Sequence, residues 1–215
     1  MKKYLCIVFI LFGIFVTIFN VVNVSAFLPL SGKIIVVDPG HGGKDPGTSY
    51  GDILEKDLNL KISLFLEKEL TKRGASVILT REGDYDLSKA NAVWRKKSDF
   101  DNRIKVINES NADLYLSIHL NYLNQAEYSG AQVFYNRDNK ELAVLVQDKF
   151  NNELKGDREA KKIPSSTYMY SKLNVSGLLI ECGFLSNYNE RNLLVTGEHQ
   201  EKIASVIAEA ISNYY

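Results

Sequence analysis

The chain has 215 residues, 45% of them hydrophobic and 24% charged, proportions that suit one folded domain with a sizeable core and exclude a disordered or repeat protein. Its 26 Lys and Arg are matched by 26 Asp and Glu. With no basic excess to draw the protein to a phosphate backbone, nucleic acid is not an expected partner.

The first residues, MKKYLCIVFILFGIFVTIFNVVNVSAFLPL, set two lysines before an almost uncharged apolar run from Tyr4 to Val24, followed by the small-residue pattern Val24-Ser25-Ala26. That order matches a secretory signal over residues 1–26, removed after Ala26 to leave Phe27 first, so the protein is expected to be exported. The run approaches the roughly 20 residues that span a bilayer, and retention as a membrane anchor is the alternative. Cys6 falls in this segment and Cys182 in the domain. They cannot staple the mature fold, and Cys182 is expected to be a small buried hydrophobe.

From residue 33 onward strand-like and helix-like runs alternate, which predicts a single α/β domain, residues 33–214, with a twisted, mostly parallel sheet flanked by helices. Strands are expected over Lys33 to Asp38, Ser76 to Arg81, Asp113 to His119, Gly130 to Tyr135 and Gly177 to Glu181. Between them lie three apolar helical stripes: Leu58, Ile62, Phe65, Leu66 and Leu70; Leu142, Leu145, Val146 and Phe150; and Ile203, Val206, Ile207, Ala210, Ile211 and Tyr214. The polar stretches Asp84 to Asp99 and Asn151 to Ser171 read as loops or short helices on the same domain.

Three apolar runs finish on residues able to bind a metal or move a proton: IIVVD leads into Pro39-Gly40-His41, DLYLSIH ends on His119, and SGLLIE ends on Glu181. In open parallel sheets ligands bind beyond the carboxyl ends of the strands, so these side chains are expected to converge. Glu55, which opens the first helix, can fold back to the same edge, although Asp52-Ile53-Leu54-Glu55 also reads as a capping box in which Glu55 only satisfies backbone donors. Glu181 stands out because a carboxylate in an apolar strand needs a metal, a cation or a raised pKa, and no Lys or Arg lies near it in sequence. His199, among charges in GEHQEK, reads as a solvated surface residue.

GHGGKDPGT lacks the Ser or Thr after its lysine that a phosphate-binding loop needs, and no serine sits in a Gly-x-Ser-x-Gly elbow. Two histidines and a glutamate are instead a catalytic zinc set with an open fourth position, and a second carboxylate can act as general base. His41, Glu55 and His119 are then the metal ligands and Glu181 the base, with exchange of roles between the two glutamates left open.

DPGHGGKDPG, LEKDLNL, ADLYLSIHLN and LLIECGFLSN resemble, in order and spacing, the zinc-dependent N-acetylmuramoyl-L-alanine amidases that cut bacterial peptidoglycan. The resemblance covers nearly all of residues 33 to 214. It implies the same ligands, His41, Glu55 and His119, the same catalytic Glu181, and as substrate the amide joining the lactyl group of N-acetylmuramic acid to the L-alanine of the stem peptide. Arg103 and Asn121 match a family arginine and asparagine, with no role deduced for either. Thr48 stands where alanine is common, a departure expected to leave metal binding alone.

The short form without wall-binding repeats, the PLSGK lead-in and the IECGFLSNYNERNLL tail resemble the germination-specific, spore-cortex branch, whose members help make muramic-δ-lactam. No segment reads as an autoinhibitory helix, so control is expected from timing of expression, metal supply or an accessory protein. The competing readings are a zinc deacetylase or carboxypeptidase, and a non-catalytic peptidoglycan-binding module.

Overall fold

A computed structural model describes residues 28–215; the expected signal segment, residues 1–26, lies outside the described residues. In chain order the elements are β1 (Ile34–Pro39), a short hairpin of β2 (Ser49–Tyr50) and β3 (Ile53–Leu54), α1 (Glu55–Lys72), β4 (Ser76–Leu79) and α2 (Arg95–Glu109). There follow β5 (Leu114–Asn121), β6 (Gln132–Tyr135), α3 (Lys140–Leu154), β7 (Lys161–Lys162), α4 (Tyr168–Ser171), β8 (Gly177–Phe184), α5 (Tyr188–Leu194) and α6 (Gly197–Tyr214). Among these residues no helix is long and apolar enough to cross a membrane.

Six strands form one sheet in the order β4-β1-β5-β8-β6-β7. The first four are mutually parallel, β6 runs antiparallel to β8, and β7 is parallel to β6. The sheet is therefore mostly parallel, as expected, with a reversed pair at one edge.

Side chains alternate across the sheet, and each face has its own core. On one face Ile35, Val37, Leu116, Ile118 and Ile180 meet the buried stripes of α1, α3 and α6, including Ile62, Val146 and Ile207. On the other face Val36 and Tyr115 meet Ile107 of α2 and Met169 and Tyr170 of α4. Strands covered on both faces read as continuous apolar runs, which is why β1, β5 and β8 were visible in the sequence.

One helix departs from expectation. The stretch Asp84 to Asp99, read as loop or short helix, contains the start of the fifteen-residue α2. Its buried residues are Asp99, Arg103 and Ile107, spaced four apart on one side, so the helical period is present but two of its three inward residues are charged.

Register sets up the site. Asp38 of β1 lies beside Ser117 of β5, and His119 of β5 lies beside Glu181 of β8. Residues paired in neighbouring strands project from the same face, so His119 and Glu181 share a face at the carboxyl ends of the central strands.

Candidate metal centre

Beyond Pro39 the chain breaks into a tight loop in which His41 adopts a left-handed backbone, φ 61°. Gly40 is indispensable there: a Cβ on it would overlap the His119 ring. Its absence lets the two imidazoles meet edge to face with centroids 4.9 Å apart. The glycine thus serves a close side-chain approach.

Glu55 is delivered by the β2–β3 hairpin and is the first residue of α1. The helix is preceded by Leu54 and carries no side-chain cap, so the capping-box reading fails. The Glu55 carboxylate turns to the histidines, with Oε1 3.2 Å from His41 Nε2 and 3.0 Å from His119 Nδ1. Oε1 also accepts from the Leu120 amide (3.1 Å) and Asn59 Nδ2 (3.2 Å), and Oε2 accepts from the Thr48 amide (2.8 Å) and hydroxyl (3.1 Å). Burial alone would push this carboxyl up, but the two histidines outweigh it and hold Glu55 far below the ordinary range. Thr48, expected to be irrelevant to the metal, therefore touches a candidate ligand.

His41 Nδ1 lies 2.9 Å from Asp45 Oδ2, a carboxylate that fixes the ring with Nε2 turned inward. Burial disfavours the charged imidazole, yet the Asp45 and Glu55 carboxylates raise its pKa to about 9. Asp45 escaped the sequence reading; its spacing of four from His41 was the available signal.

Glu181 has the opposite environment. Its Oε2 is enclosed and has no hydrogen-bond partner among the described residues. Burial pushes the carboxyl up to about 7, against the downward pull of His119, with Glu55 adding to the rise. Cys182, next along β8, is buried as expected, and its thiol is pushed up by burial.

Arg103, for which sequence offered no role, is 2% exposed and braces the loop. It donates to Asp38 Oδ1 (2.6 Å), Asp99 Oδ2 (2.9 Å), and the carbonyls of Pro39 (2.8 Å) and His41 (2.6 Å). Asp38 also accepts from Thr80 and Ser117, and the Ser117 hydroxyl in turn lies 3.1 Å from that of Tyr170. Arg81 binds the Pro39, Gly40, Lys56 and Gly83 carbonyls. Two buried guanidiniums thus tie down the backbone on either side of Gly40. Asn121 sits past a break in strand register, its Oδ1 accepting from the Tyr122 amide. His199 is half-buried instead of solvated, and burial holds its imidazole below the usual range.

His41, Glu55 and His119 each offer one ligand atom within 4.8 Å of the others, a grouping found once among the described residues. Two imidazoles and one carboxylate fit a divalent ion with a position left free for substrate or water.

A model of the family described as Amidase_3, N-acetylmuramoyl-L-alanine amidase, matches residues 35–213. The germination-specific N-acetylmuramoyl-L-alanine amidase of Bacillus subtilis is 43% identical over 195 residues, 87% of this chain and 82% of that protein. Among solved structures, the CwlD amidase from Clostridioides difficile, in complex with the GerS lipoprotein, superposes with a TM-score of 0.80 at 40% identity, covering 85% of this chain and 98% of that one. An N-acetylmuramoyl-L-alanine amidase from Clostridium difficile 630 gives 0.74 at 29% identity over 85% of this chain and 96% of that one. With the family's pattern matched along the whole domain, the chain belongs to the N-acetylmuramoyl-L-alanine amidase family.

Proposed function

We propose that this enzyme uses zinc, held by His41, Glu55 and His119, to hydrolyse the amide between N-acetylmuramic acid and the L-alanine of the stem peptide, with Glu181 as general base and acid. The observation that carries the assignment is the divergence of the two glutamates. Glu55 receives four protein donors besides the two imidazoles and stays ionised, as a ligand must. Glu181 has an unpartnered oxygen and a pKa raised to about 7, as a group that exchanges protons near neutral pH requires.

What a bound zinc supplies there is Lewis-acid polarisation of the scissile carbonyl and acidification of water. Glu181, beside His119 in register, takes a proton from the attacking water and gives it to the departing alanine nitrogen. Asp45 keeps His41 in the orientation that presents Nε2, and Arg103 and Arg81 hold the loop on which His41 rides.

The 43% identity to a germination-specific amidase supports a role in the spore cortex, in the peptide removal that precedes muramic-δ-lactam formation. The signal-like residues 1–26 support export. That a similar amidase is described with the GerS lipoprotein supports an accessory protein as partner.

The test is to incubate the purified protein with zinc and intact peptidoglycan and to weigh the fragments. New L-alanine amino termini and free muramic carboxyl groups are expected. Release of acetate or D-alanine would replace this reading with a deacetylase or carboxypeptidase, and binding without release with a non-catalytic module.

A further inference from the structure

The elements that deliver Glu55, His119 and Glu181 also deliver tyrosines. Tyr50 lies on the hairpin leading to Glu55, Tyr122 follows the end of β5 three residues after His119, and Tyr188 opens α5 shortly after β8. Together with Leu123, Asn124 and Asn189 they line one cleft of about 480 Å³ at the carboxyl edge of the sheet.

Three properties define what this cleft can hold. Its rings are presented to solvent, Tyr188 being 69% exposed, Tyr50 48% and Tyr122 38%. One ring is also fixed in place: the Arg191 guanidinium lies 3.4 Å from the centre of the Tyr50 ring while donating to the Leu185 carbonyl at 2.7 Å. That contact braces the hairpin against the end of β8 while Tyr50 stays half-exposed. Finally, among the described residues no lysine and no carboxylate lines the cleft, and its one cation, Arg191, is buried and engaged.

A neutral wall of tyrosines, one of them held by Arg191, and of exposed amides suits a neutral ligand with flat apolar faces, hydroxyls and acetamido groups. It offers no free cation to the carboxylates of a stem peptide. Beside Asp45, the partner of His41, the wall is different, for there Lys44, Arg95 and Lys96 line a second cleft with Asp45, Asp86 and Asp99.

We propose that the cleft of Tyr50, Tyr122 and Tyr188 binds the N-acetylhexosamine units of the glycan strand that flank the muramic acid being cleaved. This rests on the amidase reading and deepens it: the glycan runs along the tyrosine side and the stem peptide leaves on the charged side. Stacking against sugar faces then contributes to holding the polymer while adding nothing to the chemical step.

The test is a pair of single variants, Tyr122→Ala and Tyr188→Ala, and their double, made in the full chain and compared on two substrates. On intact glycan strands the double variant is expected to raise KM roughly tenfold or more with kcat little changed. On a monomeric muramoyl-peptide lacking flanking sugars, kcat/KM should match that of the unaltered protein. N-acetylglucosamine oligomers, used as a probe, should bind the unaltered protein and bind the double variant at least tenfold more weakly. Equal KM for variant and parent on polymer, or oligomer affinity unchanged by the substitutions, overturns the proposal while leaving the amidase reading standing. Inactivity of the unaltered protein on both substrates would instead sink the amidase reading. Tyrosine variants that lose binding of an accessory protein but keep polymer KM would make the cleft a protein-docking surface and overturn the glycan assignment.

Discussion

Arg103→Met removes the central cation of a buried cluster and leaves Asp38 and Asp99 without their direct ion pair. Both residues are enclosed, Arg103 2% and Asp38 1% exposed, with Nη1 to Oδ1 at 2.6 Å. Breaking such a pair by deleting one partner costs about 3–5 kcal/mol, against a total of roughly 5–15 kcal/mol for a domain. At about 2–4 °C per kcal/mol for a domain of this size, the melting temperature should fall by roughly 6–20 °C.

The loss should depend on pH with a definite sign. In the unaltered protein burial pushes the Asp38 carboxyl up, but Arg103, Thr80 and Ser117 together hold it below its ordinary value. Its contribution is therefore present above the unfolded pKa of about 3.9 and disappears as pH falls through the folded pKa. Without Arg103 burial dominates, the folded pKa rises above the unfolded one, and the remaining charge destabilises as pH increases. The gap between variant and parent should consequently narrow from pH 7 towards pH 4 in thermal unfolding followed by circular dichroism. The double variant Asp38→Asn/Arg103→Met should recover part of the loss. A deficit below about 1 kcal/mol that is constant with pH, and a double variant no better than the single, would refute the reasoning.

Two further expectations concern the cluster around His41. Gly40→Ala forces a methyl into the His119 ring, so zinc affinity measured by competition with a chelator should drop while the far-ultraviolet spectrum stays that of a folded domain; undiminished affinity would mean the two imidazoles do not need this approach. In the metal-free protein the His41 pKa of about 9 means that zinc must displace a proton at pH 7. Apparent affinity should then rise about tenfold per pH unit up to pH 9, with proton release visible by calorimetry in buffers of different ionisation enthalpy. Asp45→Asn should reduce that release and cost roughly 10–100-fold in affinity, whereas binding independent of pH would contradict the pairing.

Which parts of this site sequence could reveal follows from how each residue is held. His41, His119 and Glu181 were visible because each follows closely on an apolar run, where an ionisable residue interrupts an unbroken pattern, although β5 and β8 continue past His119 and Glu181 to Asn121 and Phe184. Glu55 was ambiguous because the pattern Asp52 to Glu55 serves equally for a helix cap, and only the turn of its carboxylate towards Leu120 and the histidines separates the two. Helix α2 was missed since Asp99 and Arg103 fill the inward positions where apolar residues would announce a buried face. Asp38, the other partner of Arg103, lies 65 residues from it, and no local pattern records a pairing of that range. The reversal of β6 was equally hidden, because a strand carries the same alternation in either direction.

The most direct measurement compares Glu181→Ala with Glu55→Ala, recording bound zinc and released stem peptide over a range of zinc concentrations. Glu181→Ala is expected to keep its fold and its zinc and to lose activity by roughly 10²–10⁴-fold or more, with no rescue by added metal. Glu55→Ala should bind zinc weakly and regain part of its activity as zinc is raised. Near-normal peptide release by Glu181→Ala, or rescue of that variant by zinc, would contradict the division of roles between the two glutamates.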